Sequence, residues 1–149
     1  MFGLSKGLTG GLLTGSLVLS AFGMAGCQAS FCAGSGCDAG KIFFGTNYKQ
    51  TSSGISVVGR SSTFTLGQSV AMVANLSQNP NTLTLTLRVS RNGKATSEPY
   101  RLTSKQNNVL ASLFTSSDLT TLGITQAGTY SFGLLRGSKQ LAGGSMTEK

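Results

Sequence analysis

The sequence predicts an all-β domain built as an antiparallel sandwich. Residues 82–89 alternate between apolar side chains and threonine or arginine, which is the period-two pattern of a strand with one buried face. The Asn92-Gly93 pair that follows tolerates positive φ at both positions and favours a tight hairpin. Further strand-like segments, separated by turn residues roughly every 8–12 residues, are typical of a sandwich. The apolar positions of the clearest strand are Leu83, Leu85, Leu87 and Val89.

The same patterns define the other elements. Residues 68–76 run apolar and are predicted to form a strand, with Val70, Met72, Ala74 and Leu76 on one face. Residues 108–114 fit a helix and a strand equally well, and Ser116-Ser117-Asp118 favours a capped helical turn before Gly123. The remaining predicted strands are 42–44, 55–58, 62–65, 95–102, 127–134 and 140–147.

Two segments of this pattern resemble bacterial immunoglobulin-like domains. Gly128-Thr129-Tyr130, followed by a glycine-containing hairpin and residues 141–147, resembles the end of such a domain. Residues 67–70 resemble the start of its second strand. The resemblance implies that Tyr130 begins the penultimate strand and that its hydroxyl caps a neighbouring loop, which is a structural role.

The first 26 residues have the three parts of a secretory signal. Lys6 supplies a basic head, residues 7–26 carry no charge, and small residues precede Cys27. An uncleaved anchor or plain secretion is the alternative, because 20 apolar residues are about enough to span a bilayer as a helix. Several glycines in this stretch lower its helix propensity and count against the anchor.

Met24-Ala25-Gly26-Cys27 resembles the lipobox of bacterial lipoproteins, with Met24 where leucine is commonest. The resemblance implies that the Cys27 sulfur takes a diacylglyceryl group and that the chain is cut before it. Gln28 implies the outer membrane if the organism has two membranes. The expected organisation is therefore a signal peptide (1–26), a lipidated cysteine with a flexible Gly/Ala/Ser-rich tether (27–41) and an immunoglobulin-like sandwich (42–149).

Lipidation of Cys27 leaves Cys32 and Cys37, which are candidates for a disulfide in an oxidising compartment. Two free thiols, or a metal or redox pair, are the alternatives. The spacing is not that of a CxxC redox motif, and the chain contains no histidine. The two cysteines are not placed to join two sheets and there is no tryptophan, so the antibody-type core is absent.

The net charge of +8 favours attraction to an anionic surface or simply solubility. Basic residues are scattered without a run of like charge, which favours solubility. Nucleic acid is not an expected partner of an exported protein. General acid–base catalysis usually needs histidine or a tuned carboxylate, and the four carboxylates (Asp38, Glu98, Asp118 and Glu148) form no close pair in sequence. We expect no catalytic residues, no cofactor and no metal.

These observations predict a lipid-anchored cell-envelope protein that acts as a binding or accessory module and not as an enzyme. The expected partners are the membrane, through Cys27, and an envelope protein or wall polymer. A surface adhesin is the alternative, as is a periplasmic enzyme in which Asp118 and Glu98 share a cleft. Tyr48 and Tyr100 lie among polar neighbours, where they either contact a glycan or partner protein or are half-buried strand residues.

Overall fold

The computed structural model describes residues 38–52 and 54–149, which form eleven strands and one short helix. The elements, in chain order, are β1 (Lys41–Gly45), β2 (Asn47–Thr51), β3 (Gly54–Val58), β4 (Thr63–Phe64), β5 (Val70–Asn75), β6 (Thr84–Arg91), β7 (Lys94–Ala95), β8 (Tyr100–Thr103), β9 (Val109–Phe114), α1 (Ser116–Thr121), β10 (Gly128–Arg136) and β11 (Lys139–Glu148).

Nine of the eleven described strands form one continuous sheet that folds back on itself into two packed halves. The front half consists of β6, β10 and β11, with β7 and β8 on the far edge of β6. The back half consists of β1, β5 and β9. An immunoglobulin-like sandwich orders its strands in this way, with its first, second and fifth strands on one side and its third, sixth and seventh on the other. The predicted all-β sandwich is therefore confirmed.

Strand β1 joins the two halves. It pairs antiparallel with β5 and parallel with β11, where Lys41 lies opposite Gly143. Strand β4 also runs parallel to β11, so two pairings depart from the antiparallel pattern that the sequence predicts. Both parallel partners are long-range, and such pairings leave no trace in local sequence periodicity. The chain enters the sandwich one residue earlier than predicted, at Lys41, and Gly40 N donates to Asn75 O at 2.7 Å.

The core lies between the two halves. The rings of Phe44 and Phe132 are 4.8 Å apart between centroids, and Tyr100 meets Phe114 edge-on at 6.3 Å. The alternation predicted for β6 is confirmed in its interior. Leu83 is 60% exposed, contrary to that alternation, because the strand begins only at Thr84. The buried cluster includes Ile42, Phe44, Phe64, Val70, Met72, Ala74, Leu76, Leu85, Leu87, Val89, Leu110, Phe114, Leu119, Leu122, Ile124, Tyr130, Phe132, Leu134, Leu141, Ala142 and Met146.

A β2–β3 hairpin covers the outer face of the back half. It is inserted between β1 and β4 and forms a separate two-stranded sheet that contacts β5 and β9. Its cover explains why Ala71 and Val73, on the outer face of β5, are buried as well as the residues on the inner face. Strand β2 (Asn47–Thr51) was not predicted, because four of its five residues are polar. All five residues are exposed to solvent.

Residues 108–114, which fit a helix and a strand equally well, contain strand β9 (Val109–Phe114). The predicted helical turn is α1. Thr115 caps it, one residue before the predicted start: Thr115 Oγ1 accepts from Asp118 N, and the Asp118 carboxylate accepts from Thr115 N at 2.8 Å. Among the described residues there is no helix of sufficient length and apolarity to cross a membrane.

Candidate binding site

The three cysteines that the sequence singles out, Cys27, Cys32 and Cys37, lie outside the described residues. Lipidation of the first and pairing of the other two stay predictions. The first strand begins at Lys41, so 13 residues, 28–40, separate it from Cys27 in the sequence.

Tyr130 closes one end of the sandwich. Its ring is buried, and its hydroxyl donates to Gln126 O at 2.7 Å, four residues upstream. The Arg91 guanidinium lies 5.7 Å from the ring centroid and donates to Gln126 Oε1 and to Ala127 O, both at 2.7 Å. This contact is the kind that the resemblance to immunoglobulin-like domains implies, and it gives Tyr130 a structural place in the fold.

Asp118 and Glu98 do not supply a paired acid and base. The Asp118 carboxylate accepts hydrogen bonds from the Thr115 side chain and backbone, which lower the pKa of Asp118 below its ordinary value. Glu98 is exposed in the connection between β7 and β8. No group of three or more histidine, cysteine, aspartate or glutamate side chains among the described residues is arranged to hold a metal.

Glu148 is an unusual carboxylate that sequence reasoning missed. Its side chain is 1% exposed, and neither oxygen has a hydrogen-bond partner in the part of the chain that the structure describes. Burial raises the pKa of Glu148 above its ordinary value of 4.5. The sequence alternation gave one indication of this burial. Glu148 follows Met146 by two residues and therefore points to the same inner face of β11.

The outer face of the front half carries a shallow trough of about 610 Å³. Gly133 and Gly143, which line this trough, lie opposite each other on β10 and β11. The Gln140 amide lies across both glycines: a Cβ added to Gly143 would come within 2.6 Å of Gln140 Nε2. Arg88 stands at the side of this trough, exposed to solvent.

A second groove, of about 760 Å³, opens where β1 meets β11. Arg60 forms one wall, and its guanidinium lies 4.0 Å from the centroid of the Phe43 ring. Lys41 lies on the same groove, but its Nζ is 3.6 Å from Asp38 Oδ1. The two cationic groups of this groove are therefore already engaged, one with an aromatic face and the other with a carboxylate.

A third cavity, of about 170 Å³, lies beneath the β2–β3 hairpin. Apolar atoms of the hairpin and of β9 form its walls, and the β8–β9 connection closes one side. Ligand pockets usually combine an apolar lining with a few polar groups that fix orientation. The lining residues are Tyr48, Gln50, Ile55, Thr103, Lys105, Asn107, Val109, Leu110 and Ala111.

The polar groups of this third cavity, which we call the hairpin pocket, are free to bind a ligand. Within residues 38–52 and 54–149, the side chains of Gln50, Thr103, Lys105 and Asn107 make no hydrogen bond or ion pair with other residues. In the trough, by contrast, the space over the glycines is filled by Gln140. The hairpin pocket is therefore the best candidate binding site in the described part of the chain.

Tyr48 belongs to this pocket, whereas Tyr100 does not. Tyr48 is 36% exposed and lies on the inner face of the hairpin with Gln50, across from Val57 and Ile55. Tyr100 packs on Phe114 in the core. The sequence marked Tyr48 as a possible contact, but Lys105 and Asn107 come from a distant loop and had no signal of their own.

No family model matches the sequence, and no curated protein matches it either. Among solved structures, the chain is similar to an immunoglobulin-like protein from Pseudomonas aeruginosa, whose crystal structure was determined at 1.50 Å resolution. The two sequences are 16% identical, and the match covers 74% of this chain and 93% of the other, with a TM-score of 0.43. The strand order described above defines the sandwich independently of this likeness.

Proposed function

We propose that the protein is a lipid-anchored component of the cell envelope whose sandwich acts as a non-enzymatic binding or accessory module. The lipid is attached at Cys27, and in an organism with two membranes the anchor lies in the outer membrane. The partner is an envelope protein or a wall polymer that the sandwich reaches from its tether.

The observation that carries the binding role is the hairpin pocket, with four unpaired polar side chains around an apolar floor. These four side chains are exposed and bonded to water, which a ligand with matching hydroxyl, amide or carboxylate groups can replace. The sequence up to Cys27 supports the anchor, since its basic head, uncharged stretch and small-residue exit are those of a lipoprotein signal. The four carboxylates support a role without acid–base catalysis, since Asp118 caps a helix and Glu148 is buried away from any groove.

Replacing Cys27 with serine should move the protein from the membrane fraction to the soluble fraction of lysed cells. Without the thiol no thioether to diacylglycerol can form, and burial of acyl chains is what holds such a protein on a bilayer. The measurement is fractionation followed by immunoblotting, with Cys32→Ser as the matched control that should stay with the membrane. Retention of Cys27→Ser in the membrane fraction, in a form from which the first 26 residues have been removed, would overturn the anchor.

Cross-linking in intact membranes tests the binding role. The wild-type protein should recover one specific envelope protein or wall polymer. Recovery of lipid alone, with no polymer or protein enriched over the Cys27→Ser control, would contradict the proposed role.

A further inference from the structure

We propose that the hairpin pocket binds a sugar residue that carries a carboxylate, as in an acidic saccharide of the envelope. This inference rests on the proposed binding function and names its ligand class. Nothing in it depends on the lipid at Cys27.

The shape of the pocket suits a pyranose ring. Its volume, about 170 Å³, is close to that of one sugar ring, and it is far smaller than the open grooves at 610 and 760 Å³. Its lining includes the aromatic residue Tyr48 and the apolar residues Ile55, Val109 and Ala111. A pyranose has an apolar face of C–H groups, which packs on an aromatic ring as other apolar groups do.

The rim of the pocket suits the hydroxyl groups of a sugar. Gln50 and Asn107 each offer an amide oxygen and an amide NH₂, and Thr103 offers a hydroxyl that donates or accepts. A sugar hydroxyl also donates and accepts at the same atom, so it pairs with amides and hydroxyls without a charge on either side. These rim groups are exposed and have no partner in the described part of the chain, so a sugar has to displace only water from them.

Lys105 selects the acidic member of this class. Its ammonium group is the one charged group among the residues that line the pocket, and the lining contains no aspartate or glutamate. A hydrogen bond between a cation and a carboxylate is roughly twice as strong as a neutral one. A carboxylate on the ring or its side chain therefore gains more from this site than a neutral sugar does.

The test is calorimetric titration of the full-length protein in detergent micelles. The probes are an oligosaccharide of glucuronic acid and its neutral glucose counterpart. We expect the acidic probe to bind, Tyr48→Ala and Lys105→Gln each to weaken it by about tenfold or more, and Tyr48→Phe to bind within about threefold of wild type. Lys105→Gln should abolish the preference for the acidic probe.

Lys49→Gln is the matched control. Lys49 is a neighbour of Tyr48 on β2, but strand alternation places it on the outer face of the hairpin, opposite Ser56. The control removes the same charge and should leave affinity unchanged. Equal losses in Lys49→Gln and Lys105→Gln would show non-specific charge attraction and overturn the site, as would no binding of either probe, or binding only to vesicles of anionic phospholipid.

The two proposals fail in different ways. Thermal melting of each variant shows whether a loss of binding is a loss of folding, and Tyr48→Phe keeps the ring if Tyr48→Ala unfolds. Failure of the Cys27→Ser fractionation would overturn the anchor while leaving saccharide titrations unaffected. Absence of saccharide binding would overturn this inference while leaving the cross-linked partner in place.

Discussion

Glu148→Gln should stabilise the protein at neutral pH by on the order of 1 kcal/mol or more, because it removes the extra cost that a buried charge carries over a neutral polar group of the same shape. The wild-type carboxylate is 1% exposed, and its oxygens have no partner among the described residues. At neutral pH such a group either stays ionised at a desolvation cost or takes up a proton. Glutamine keeps the shape and removes the charge.

The pH dependence has a defined sign. Burial raises the pKa of Glu148 in the folded state above its ordinary value of 4.5, whereas the unfolded chain keeps that ordinary value. Between these two pKa values the folded state binds more protons than the unfolded state, so stability falls as pH rises. Glu148 therefore costs no stability through ionisation below about pH 4.5, its cost grows as pH rises through the window above that value, and the cost levels off beyond the folded-state pKa of Glu148.

Urea unfolding between pH 4 and pH 8 measures this effect. The Glu148→Gln variant should unfold at higher urea than wild type at pH 8, and the two curves should converge near pH 4. Glu98→Gln is the control, because Glu98 is exposed, and it should follow the wild-type profile. Parallel pH profiles for wild type and Glu148→Gln would show that the carboxylate is not desolvated.

Gly123→Ala should cost about 2–4 kcal/mol and is the second large effect. Gly123 follows α1 with φ +75°, a left-handed conformation that strains an L-residue. A Cβ at this position would also overlap the carbonyl of Thr96, whose carbon would be 2.7 Å away. Because Thr96 Oγ1 also donates to Leu122 O at 2.6 Å, the two segments cannot separate cheaply.

Gly93→Ala separates the two causes. Gly93 has nearly the same φ, +76°, but an added Cβ there has nothing within 4 Å. We expect it to cost about 1–2 kcal/mol from backbone strain alone. Thermal unfolding measures the loss of stability in each variant. The loss in Gly123→Ala minus the loss in Gly93→Ala is the cost of the clash with Thr96. Equal losses would mean that the loop after β7 does not pack on the end of α1.

The strands and turns that show a clear pattern in the local sequence could be predicted. Strand β6, the Asn92-Gly93 hairpin and the strand around Phe132 follow from alternation and turn chemistry within a few residues, and tertiary contacts confirm them. Strand β2 could not be predicted, because its sequence is polar and its extended conformation depends on pairing with β3. The parallel partners of β11 and the burial of Ala71 depend on residues far away in the chain.

The candidate site was predictable only in part. Tyr48 stood out because it is aromatic among polar residues, but its role requires Lys105 and Asn107, which fold beside it across more than fifty residues. Glu148 was counted among the four carboxylates, but its burial was not predicted. Glu148 lies two residues after Met146 on β11, so both side chains point to the inner face of the sheet. The sequence alone does not show that the strand extends this far, and a carboxylate is ordinarily expected to be exposed.

Mass spectrometry of the intact protein, purified from native membranes, tests the anchored-module account most directly. The chain should begin at Cys27 and carry the mass of a diacylglyceryl group, with no residue of the first 26 remaining. A chain that retains Met1, or that begins at Cys27 with an unmodified thiol, would contradict the account.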